Sequence, residues 1–360
     1  MSVAITFGIV GGGWRAEFFM RIVRALPDQF IVSGVVVRNE EKGRAFEEQW
    51  GVPTFRSTED LLKQTTPSFV VLSVPVSQTP ELIKQLVRQG VPVLSETPPA
   101  ADLEQLNQLY QDIGPDAKVQ VAEQYAFQPL HAARIAIVQS GLLGTVSQAQ
   151  VSAAHGYHGI SIMRKLLGIR FEDAHIRGFG FSSPIISGPN REGDPSQEKT
   201  SISNQVIAHL EFGDKLGVFD FTGDQYFSWI RSERVLVRGN KGEINNTRIA
   251  YLQDFRTPIQ LELRRLNAGE NGNLEGYYHK GILAGDKWVY RNPFQPGRLS
   301  DDEIAIATCL QKMGDYVQGE PSFYSLAEAA QDHYLGMMIT HAVKSGETVQ
   351  TTKQSWATLK

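Results

Sequence analysis

The sequence has one cysteine, no long apolar run and no excess of basic residues, and each of these features excludes a class of protein before any motif is considered. The 360 residues include a single cysteine, Cys309, so no internal disulfide can form, and we expect a buried thiol in a reducing compartment. No apolar run approaches the roughly 20 residues that a membrane-spanning helix needs. The formal net charge of -4 lacks the basic excess that attracts nucleic acid or an anionic membrane. We therefore expect a cytoplasmic protein whose partner is a small molecule.

The first glycines of the chain stand where a dinucleotide would require them. An apolar strand over residues 4–10 runs into Gly11 and Gly13, and a helical pattern begins near Arg15. Gly11 permits a tight turn, Gly13 lets a diphosphate approach the backbone, and Ala16 lets the helix pack on the strand. The helix N-terminus offers free N–H groups to the phosphates. An ordinary strand-to-helix turn is the alternative, and the strand and helix on either side favour the dinucleotide.

Apolar strands and amphipathic helices alternate through the first part of the chain. The strands are near-continuous apolar runs, as is typical of parallel strands covered on both faces. This alternation predicts an α/β fold with a doubly wound parallel sheet, the Rossmann architecture. Ligands of such sheets lie beyond the carboxyl ends of the strands, so residues 73–76 and 96–98 are expected beside the cofactor. The predicted strands are 4–10, 30–37, 69–73, 91–96 and 118–122, and the predicted helices are 15–26, 40–50, 79–89 and 103–111.

The residues after the second strand bear on the choice of coenzyme. An acidic side chain at this place accepts a hydrogen bond from the adenosine ribose and selects NAD. This chain has Arg38 followed by Asn39. Because a guanidinium pairs with a 2′-phosphate and stacks on adenine, we expect NADP as the preferred cofactor, with NAD as the alternative. A solvated arginine, with the ribose acceptor supplied elsewhere, is the other explanation of Arg38.

The pattern changes after the first parallel sheet. Longer segments of period-two alternation, joined by glycine-containing turns, predict a large and mostly antiparallel sheet that is open on one face. Two later helices are expected to pack on the domains from outside. We predict a dinucleotide-binding domain over residues 1–123 and a substrate-binding and oligomerisation domain over residues 124–360. The predicted strands are 146–153, 175–181, 205–212, 216–222 and 229–238, and the helices are 301–317 and 325–344.

Six local patterns, in order and with their spacing, resemble the glucose-fructose oxidoreductase, inositol dehydrogenase and MocA (Gfo/Idh/MocA) family of nicotinamide-dependent sugar oxidoreductases. The resemblance implies a Rossmann domain, a carboxyl-terminal α/β domain with a large open sheet, and a sugar-sized pocket between them. It also implies a homodimer or homotetramer formed through the open sheet. The patterns are residues 11–16, 70–75 (VVLSVP), 93–98 (VLSETP), 123–129 (EQYAFQP), 140–146 (SGLLGTV) and 158–168 (HGISIMRKLLG).

The catalytic positions that the resemblance implies are only partly kept. The family usually has Glu-Lys-Pro at the strand end, and its lysine helps to bind the reacting hydroxyl, whereas this chain has Thr97. Two positions that often carry acids are Ala154 and Ser161 here. His158 stands at its expected place and becomes the candidate general base, since an imidazole suits proton transfer in both directions. A histidine that only hydrogen-bonds near a helix start is the alternative.

Two neighbouring residues are further catalytic candidates. His155 precedes His158 by three residues and would supply a second polar group, or it is a surface histidine. Tyr125 follows the last strand of the first sheet and would donate its hydroxyl to substrate, or it is packing. No carboxylate or cysteine lies close by in sequence to complete a metal site, so no metal is expected.

Three more side chains have two interpretations each. Arg164 either contacts substrate or forms a salt bridge. Tyr226 and Trp229 either form a wall on which a sugar stacks or belong to the core or a subunit interface, where large aromatics are also enriched.

The sequence therefore predicts an NAD(P)-dependent oxidoreductase that moves a hydride between nicotinamide and a secondary alcohol of a sugar, polyol or glycoside. Two alternatives stay open. One is a redox-neutral, nicotinamide-assisted lyase or glycosidase, and the other is a dinucleotide-binding sensor or partner subunit without catalysis. The predicted catalytic residues are His158, Thr97, His155 and Tyr125, and the predicted cofactor-binding residues are Gly11, Gly13, Trp14, Arg15, Arg38, Ser73, Val74, Pro75, Glu96 and Thr97.

Overall fold

The computed structural model describes residues 4–358, which form two sheets with helices packed against them. The strands of the first sheet are β1 (Ile5–Val10), β2 (Phe30–Val36), β3 (Thr54–Phe55), β4 (Phe69–Leu72), β5 (Val93–Ser95) and β6 (Val119–Val121). The helices between them are α1 (Trp14–Ala25), α2 (Glu40–Trp50), α3 (Thr58–Gln64), α4 (Thr79–Arg88) and α5 (Leu103–Ile113).

The first sheet is the doubly wound sheet that the alternation predicts. Its strand order is β3-β2-β1-β4-β5-β6, and every neighbouring pair is parallel. The four residues of β4 are all buried, as expected of a central strand with helices on both faces. Side-chain oxygens of Asn39, Ser57 and Asp102 cap helices α2, α3 and α5. The short β3 and α3 were not predicted, because two strand residues and seven helical ones give little periodicity.

The second sheet is larger and mixed. It has eleven strands in the order β16-β15-β14-β13-β12-β11-β7-β10-β9-β8-β17, antiparallel except for the β7–β10 pair. Its strands are β7 (Val146–Ser152), β8 (His175–Ile186), β9 (Thr200–Phe212), β10 (Lys215–Thr222), β11 (Arg234–Gly239), β12 (Gly242–Asn245), β13 (Arg248–Asp254), β14 (Thr257–Ala268), β15 (Tyr278–Ala284), β16 (Lys287–Arg291) and β17 (Val349–Gln350). The helices of this part are α6 (Pro129–Gln139), α7 (Gly156–Leu167), α8 (Asp301–Val317) and α9 (Leu326–Ser345).

One face of the second sheet is covered and the other is open. Side chains of alternate strand residues pack with α6, α7 and α9 into one core that includes Val151, Leu210 and Phe219. On β8 the uncovered side leaves Phe179 and Phe181 exposed. The prediction of a large, mostly antiparallel sheet with one open face is therefore confirmed.

The strand expected over residues 229–238 is shorter in the structure and begins later in the chain than predicted. A short 3-10 helix over Gly223–Tyr226 is followed by irregular backbone, and β11 begins only at Arg234. Strands β12 to β17 were not predicted, although Ile259, Leu261 and Leu263 carry the period-two signal of β14.

Helix α8 differs from the expectation that the late helices pack on the outside. Ile304, Leu310 and Met313 are fully buried in one core with Phe7 and Phe19 of the first sheet and its helix. The cysteine lies in the same core, buried as expected. The division of the chain at residue 123 stays a prediction, because a helix from the later part covers the first sheet.

Among the residues that the structure describes, no helix is both long and apolar enough to cross a membrane. The cytoplasmic location stays a prediction.

Candidate active site

A cleft of about 1600 Å³ runs along the carboxyl-terminal edge of the first sheet and is bounded on its other side by elements of the second. All the predicted cofactor-binding and catalytic residues line it, and their roles stay predictions. Arg164 and Trp229, two further candidates, are not in its wall. The wall residues from the prediction are Gly11, Gly13, Trp14, Arg15, Arg38, Ser73, Val74, Pro75, Glu96, Thr97, Tyr125, His155 and His158.

The turn from β1 to α1 forms a cradle of backbone. Gly11 has φ +119°, and a Cβ atom there would lie 2.0 Å from the carbonyl oxygen of Ser73. Gly13 is the N-cap of α1 without a side-chain cap, and a Cβ on it would meet no atom within 4 Å. The first amides of the helix therefore face open space, which is the arrangement that accepts a diphosphate.

The end of the cleft beside β2 is basic. Arg38 and Lys42 line it with exposed side chains, and Arg56 lies behind them, where its guanidinium donates to the carbonyl of Val37. The side-chain oxygen of Asn39 accepts a hydrogen bond from the backbone N–H of Lys42 at 2.9 Å, so it is engaged as a helix cap. No carboxylate follows β2 at the place where an NAD-selecting acid would stand.

The other end of the cleft holds a paired carboxylate and imidazole. Glu123 follows β6 and accepts a 2.6 Å hydrogen bond from Nδ1 of His158, in the first turn of α7. Its second oxygen accepts from the backbone N–H of Tyr125 at 3.1 Å. Both side chains are buried, and Nε2 of His158 has no hydrogen-bond partner within residues 4–358. The pair fixes the proton on Nδ1 and leaves Nε2 as an acceptor in the cleft wall.

Glu123 is the functional candidate that sequence reasoning missed. It was part of the motif over residues 123–129 but had no assigned role. The signal that could have found it is its place, two residues after the last residue of a parallel strand, at the edge where ligands of such sheets bind.

A chain of polar groups connects the second domain to this histidine. The Tyr125 hydroxyl donates to that of Tyr226 at 3.5 Å, and the Tyr226 hydroxyl lies 2.7 Å from Nδ1 of His155. The ring of His158 lies 4.5 Å from that of Tyr125 and 4.9 Å from that of His155. Burial against the cleft walls lowers the pKa of His155 to about 4, and His158 adds to this effect. His155 is therefore neutral at pH 7, and its Nδ1 can accept a hydrogen bond from the Tyr226 hydroxyl.

Thr97 and Arg15 are held by neighbouring side chains. Thr97 lies beside the hydroxyl of Tyr157. Burial raises the pKa of Tyr157 to about 12, and the hydrogen bond with Thr97 opposes that rise. Nε of Arg15 donates to Glu96 at 2.7 Å, and its other nitrogen donates to Gln124. The positive charge of Arg15 is thus compensated within the cleft.

The structure decides between the two interpretations of Arg164. It is fully buried and forms ion pairs with Asp332 at 2.6 Å and with Glu328 at 2.9 Å, so it is a structural salt bridge outside the cleft. Trp229 is 70% exposed and points away from any core, whereas Tyr226 does reach the cleft. In the part of the chain that is described, no group of three or more His, Cys, Asp or Glu side chains is arranged to hold a metal ion.

Comparison with known proteins agrees with this geometry. Residues 5–123 match the family model of Gfo/Idh/MocA proteins, described as an oxidoreductase family with an NAD-binding Rossmann fold. This segment of the chain is therefore similar to the Rossmann domain of the Gfo/Idh/MocA oxidoreductase family. The match covers the glycine cradle, the basic end and Glu123, so these features lie within the segment that is similar to an NAD-binding fold.

Solved structures share the fold along nearly the whole chain. Levoglucosan dehydrogenase in complex with NADH is 14% identical, with a TM-score of 0.70 and coverage of 97% of this chain and 100% of that one. A myo-inositol dehydrogenase from Corynebacterium glutamicum is 17% identical, with a TM-score of 0.65 and coverage of 97% and 99%. An oxidoreductase from Agrobacterium radiobacter, in complex with NAD+, L-tartaric acid and magnesium, is 14% identical, with a TM-score of 0.67 and coverage of 96% and 98%. No curated protein sequence matches the chain.

Proposed function

We propose that this protein is a member of the Gfo/Idh/MocA family and an NAD(P)-dependent oxidoreductase that moves a hydride between nicotinamide and a secondary alcohol of a sugar, polyol or glycoside. The observation that carries the proposal is the buried Glu123–His158 pair, which directs Nε2 of the histidine to the cleft beside a glycine cradle of dinucleotide-binding type. A bound nicotinamide coenzyme supplies the hydride acceptor or donor.

The chain's own residues handle the proton. Hydride removal from a carbinol carbon leaves a hydroxyl proton, which Nε2 of His158 accepts because its Nδ1 is held as a donor by Glu123. The carboxylate stabilises the imidazolium that forms, and in reduction the same nitrogen returns the proton. Thr97 contributes a hydroxyl and no charge, so in this protein proton transfer depends on the carboxylate–imidazole pair.

The side chains around Nε2 suit a substrate rich in hydroxyl groups. Tyr125, Tyr157, Tyr226 and His155 present polar atoms and ring faces together, which hydrogen-bond to sugar hydroxyls and pack on the apolar faces of a sugar ring. The relatives of similar fold support this class, since one is a levoglucosan dehydrogenase and another a myo-inositol dehydrogenase.

The basic end of the cleft supports NADP as the preferred coenzyme. Arg38 and Lys42 line the end of the cleft beside β2, where we expect the adenosine ribose, and the neighbouring Asn39 oxygen is occupied by its helix cap. Two cations, with no acid in the two positions directly after Val37, favour a 2′-phosphate over a ribose hydroxyl.

Titration with NADP and NAD separately, followed by a panel of sugars and polyols at the reduced-nicotinamide absorbance, tests the proposal. Stoichiometric coenzyme reduction that His158→Ala abolishes supports it. Substrate conversion without net coenzyme change would instead establish the redox-neutral lyase or glycosidase. Coenzyme binding without turnover of any substrate would favour the sensor or partner subunit.

A further inference from the structure

One arginine of the second domain reaches the diphosphate cradle of the first. Arg191 lies in the connection between β8 and β9, residues 187–199, and its guanidinium carbon is 4.3 Å from the ring centroid of Trp14. Trp14 directly follows Gly13 at the start of α1, and its ring is 57% exposed. Arg191 also lines the cleft. The two side chains thus meet in the cleft at the residue that follows the glycine cradle.

The backbone around Arg191 is held by its own hydrogen bonds. Asn190 and Gly193 exchange backbone hydrogen bonds of 3.1 and 3.2 Å, which places Arg191 in a closed turn. At the base of the connection, Ser187 donates to the carbonyl of Lys199 at 2.8 Å. Gly188 packs so closely on Ser228 that a Cβ there would lie 2.9 Å from the Cα of that serine. The turn therefore presents Arg191 from a fixed base.

The N–H donors of the Arg191 guanidinium have no acceptor among the residues that the structure describes. Within residues 4–358 the guanidinium has no hydrogen-bond or ion-pair partner. Its polar group instead makes a cation–π contact with the Trp14 ring. A contact with an indole face occupies none of the five N–H donors of a guanidinium, so they remain available to a ligand. By contrast, Arg15 in the same cleft is neutralised by Glu96.

We propose that Arg191 is a cofactor-binding residue that donates to the diphosphate of the bound dinucleotide and slows its release. Guanidinium and phosphate form charge-assisted, frequently bidentate hydrogen bonds, and the contact with Trp14 keeps the Arg191 guanidinium beside the start of α1. The second domain thereby holds the coenzyme from the side opposite the helix amides. This inference rests on the dinucleotide binding of the proposed function and not on its substrate.

The test is the rate of coenzyme release. NADPH is preloaded on the wild type, on Arg191→Ala and on Arg191→Lys, and its displacement by excess NADP is followed by stopped-flow fluorescence. We expect release to be about tenfold or more faster in Arg191→Ala, because a charge-assisted contact is lost, and intermediate in Arg191→Lys. Arg256→Ala is the matched control, since Arg256 also stacks on a ring, that of Phe255, in an exposed turn outside the cleft.

Fragments locate the contact on the coenzyme. In calorimetry, Arg191→Ala should weaken ADP-ribose and NADPH alike and leave adenosine 2′-monophosphate, which has no diphosphate, unchanged. Equal release rates in the wild type and Arg191→Ala, or an equal loss for the monophosphate, would overturn the assignment of Arg191 while leaving the proposed function standing. A wild type that binds neither NADPH nor NADH would overturn both.

Discussion

Replacing Glu123 by glutamine removes one charge from the centre of the proposed mechanism and almost no volume. In the native protein one carboxylate oxygen accepts from Nδ1 of His158 at 2.6 Å and the other accepts from the backbone N–H of Tyr125. A glutamine has one acceptor oxygen for these two donors. If that oxygen serves Tyr125, the amide NH₂ faces Nδ1, which must then accept, and the proton moves to Nε2, where it blocks the base.

The expected loss follows from either arrangement of the amide. If the amide oxygen still accepts from Nδ1, the imidazolium loses a charged partner, and hydrogen bonds to charged groups are worth about 1.5–3 kcal/mol, or roughly a 10- to 100-fold loss in rate. If the tautomer inverts, the whole contribution of general base catalysis is lost, about 10²- to 10⁴-fold. We expect kcat for alcohol oxidation to fall by about 100-fold with little change in the Kd for NADPH.

Steady-state kinetics at saturating coenzyme and calorimetric NADPH titration measure the two quantities. Glu347→Gln, at an exposed glutamate just after the end of α9, is the control for the chemical change itself. Thermal unfolding of each variant guards against a folding defect. A Glu123→Gln enzyme that is folded and within twofold of wild-type kcat would refute the role of the carboxylate–imidazole pair.

Three further outcomes are expected. Arg38→Asp should reverse the coenzyme preference, lowering NADP affinity by about tenfold or more while NAD affinity is kept or improved; an unchanged ratio in calorimetry would contradict the role of Arg38. Phe181→Lys, on the open sheet face where Phe181 is 56% exposed, should reduce the size of the proposed homodimer or homotetramer in analytical ultracentrifugation, and a variant that sediments like wild type would exclude that face. Burial lowers the pKa of His131 to about 3, so the folded state holds this ring neutral and its contribution to stability is present above pH 6.5 and lost as the pH falls toward 3. Between pH 7 and 4.5 the unfolding free energy in urea should therefore fall by about 2 kcal/mol more for wild type than for His131→Gln, and parallel curves would show that His131 titrates normally.

The parts of the fold that the sequence predicts are those whose signals are local. The turn after β1 requires a positive φ at residue 11 and a close approach to Ser73. Only glycine meets both requirements, so the turn is visible in the sequence as a glycine directly after an apolar strand. The strands of the first sheet are apolar on both faces, so they stand out from the helices between them. Their alternation is sufficient to predict the parallel sheet.

The parts that the sequence does not predict depend on contacts between distant segments. The pairing of Glu123 with His158 joins the end of β6 to the start of α7, and no pattern within either segment specifies the distance between them. Helix α8 has an ordinary helical pattern, and only the tertiary structure shows that it packs against β1. Arg191 lies in a polar stretch without periodicity, so its approach to Trp14 follows only from the path of the loop.

The position of α8 in the chain has a consequence for synthesis. The six strands of the first sheet leave the ribosome before Ile304, Leu310 and Met313, which cover one side of them. Until these three residues emerge, Phe7 and its neighbours lack their cover, so the first sheet completes its folding only after α8 has been made. A message truncated before codon 301 would therefore yield an aggregation-prone product, and not a small stand-alone coenzyme-binding protein.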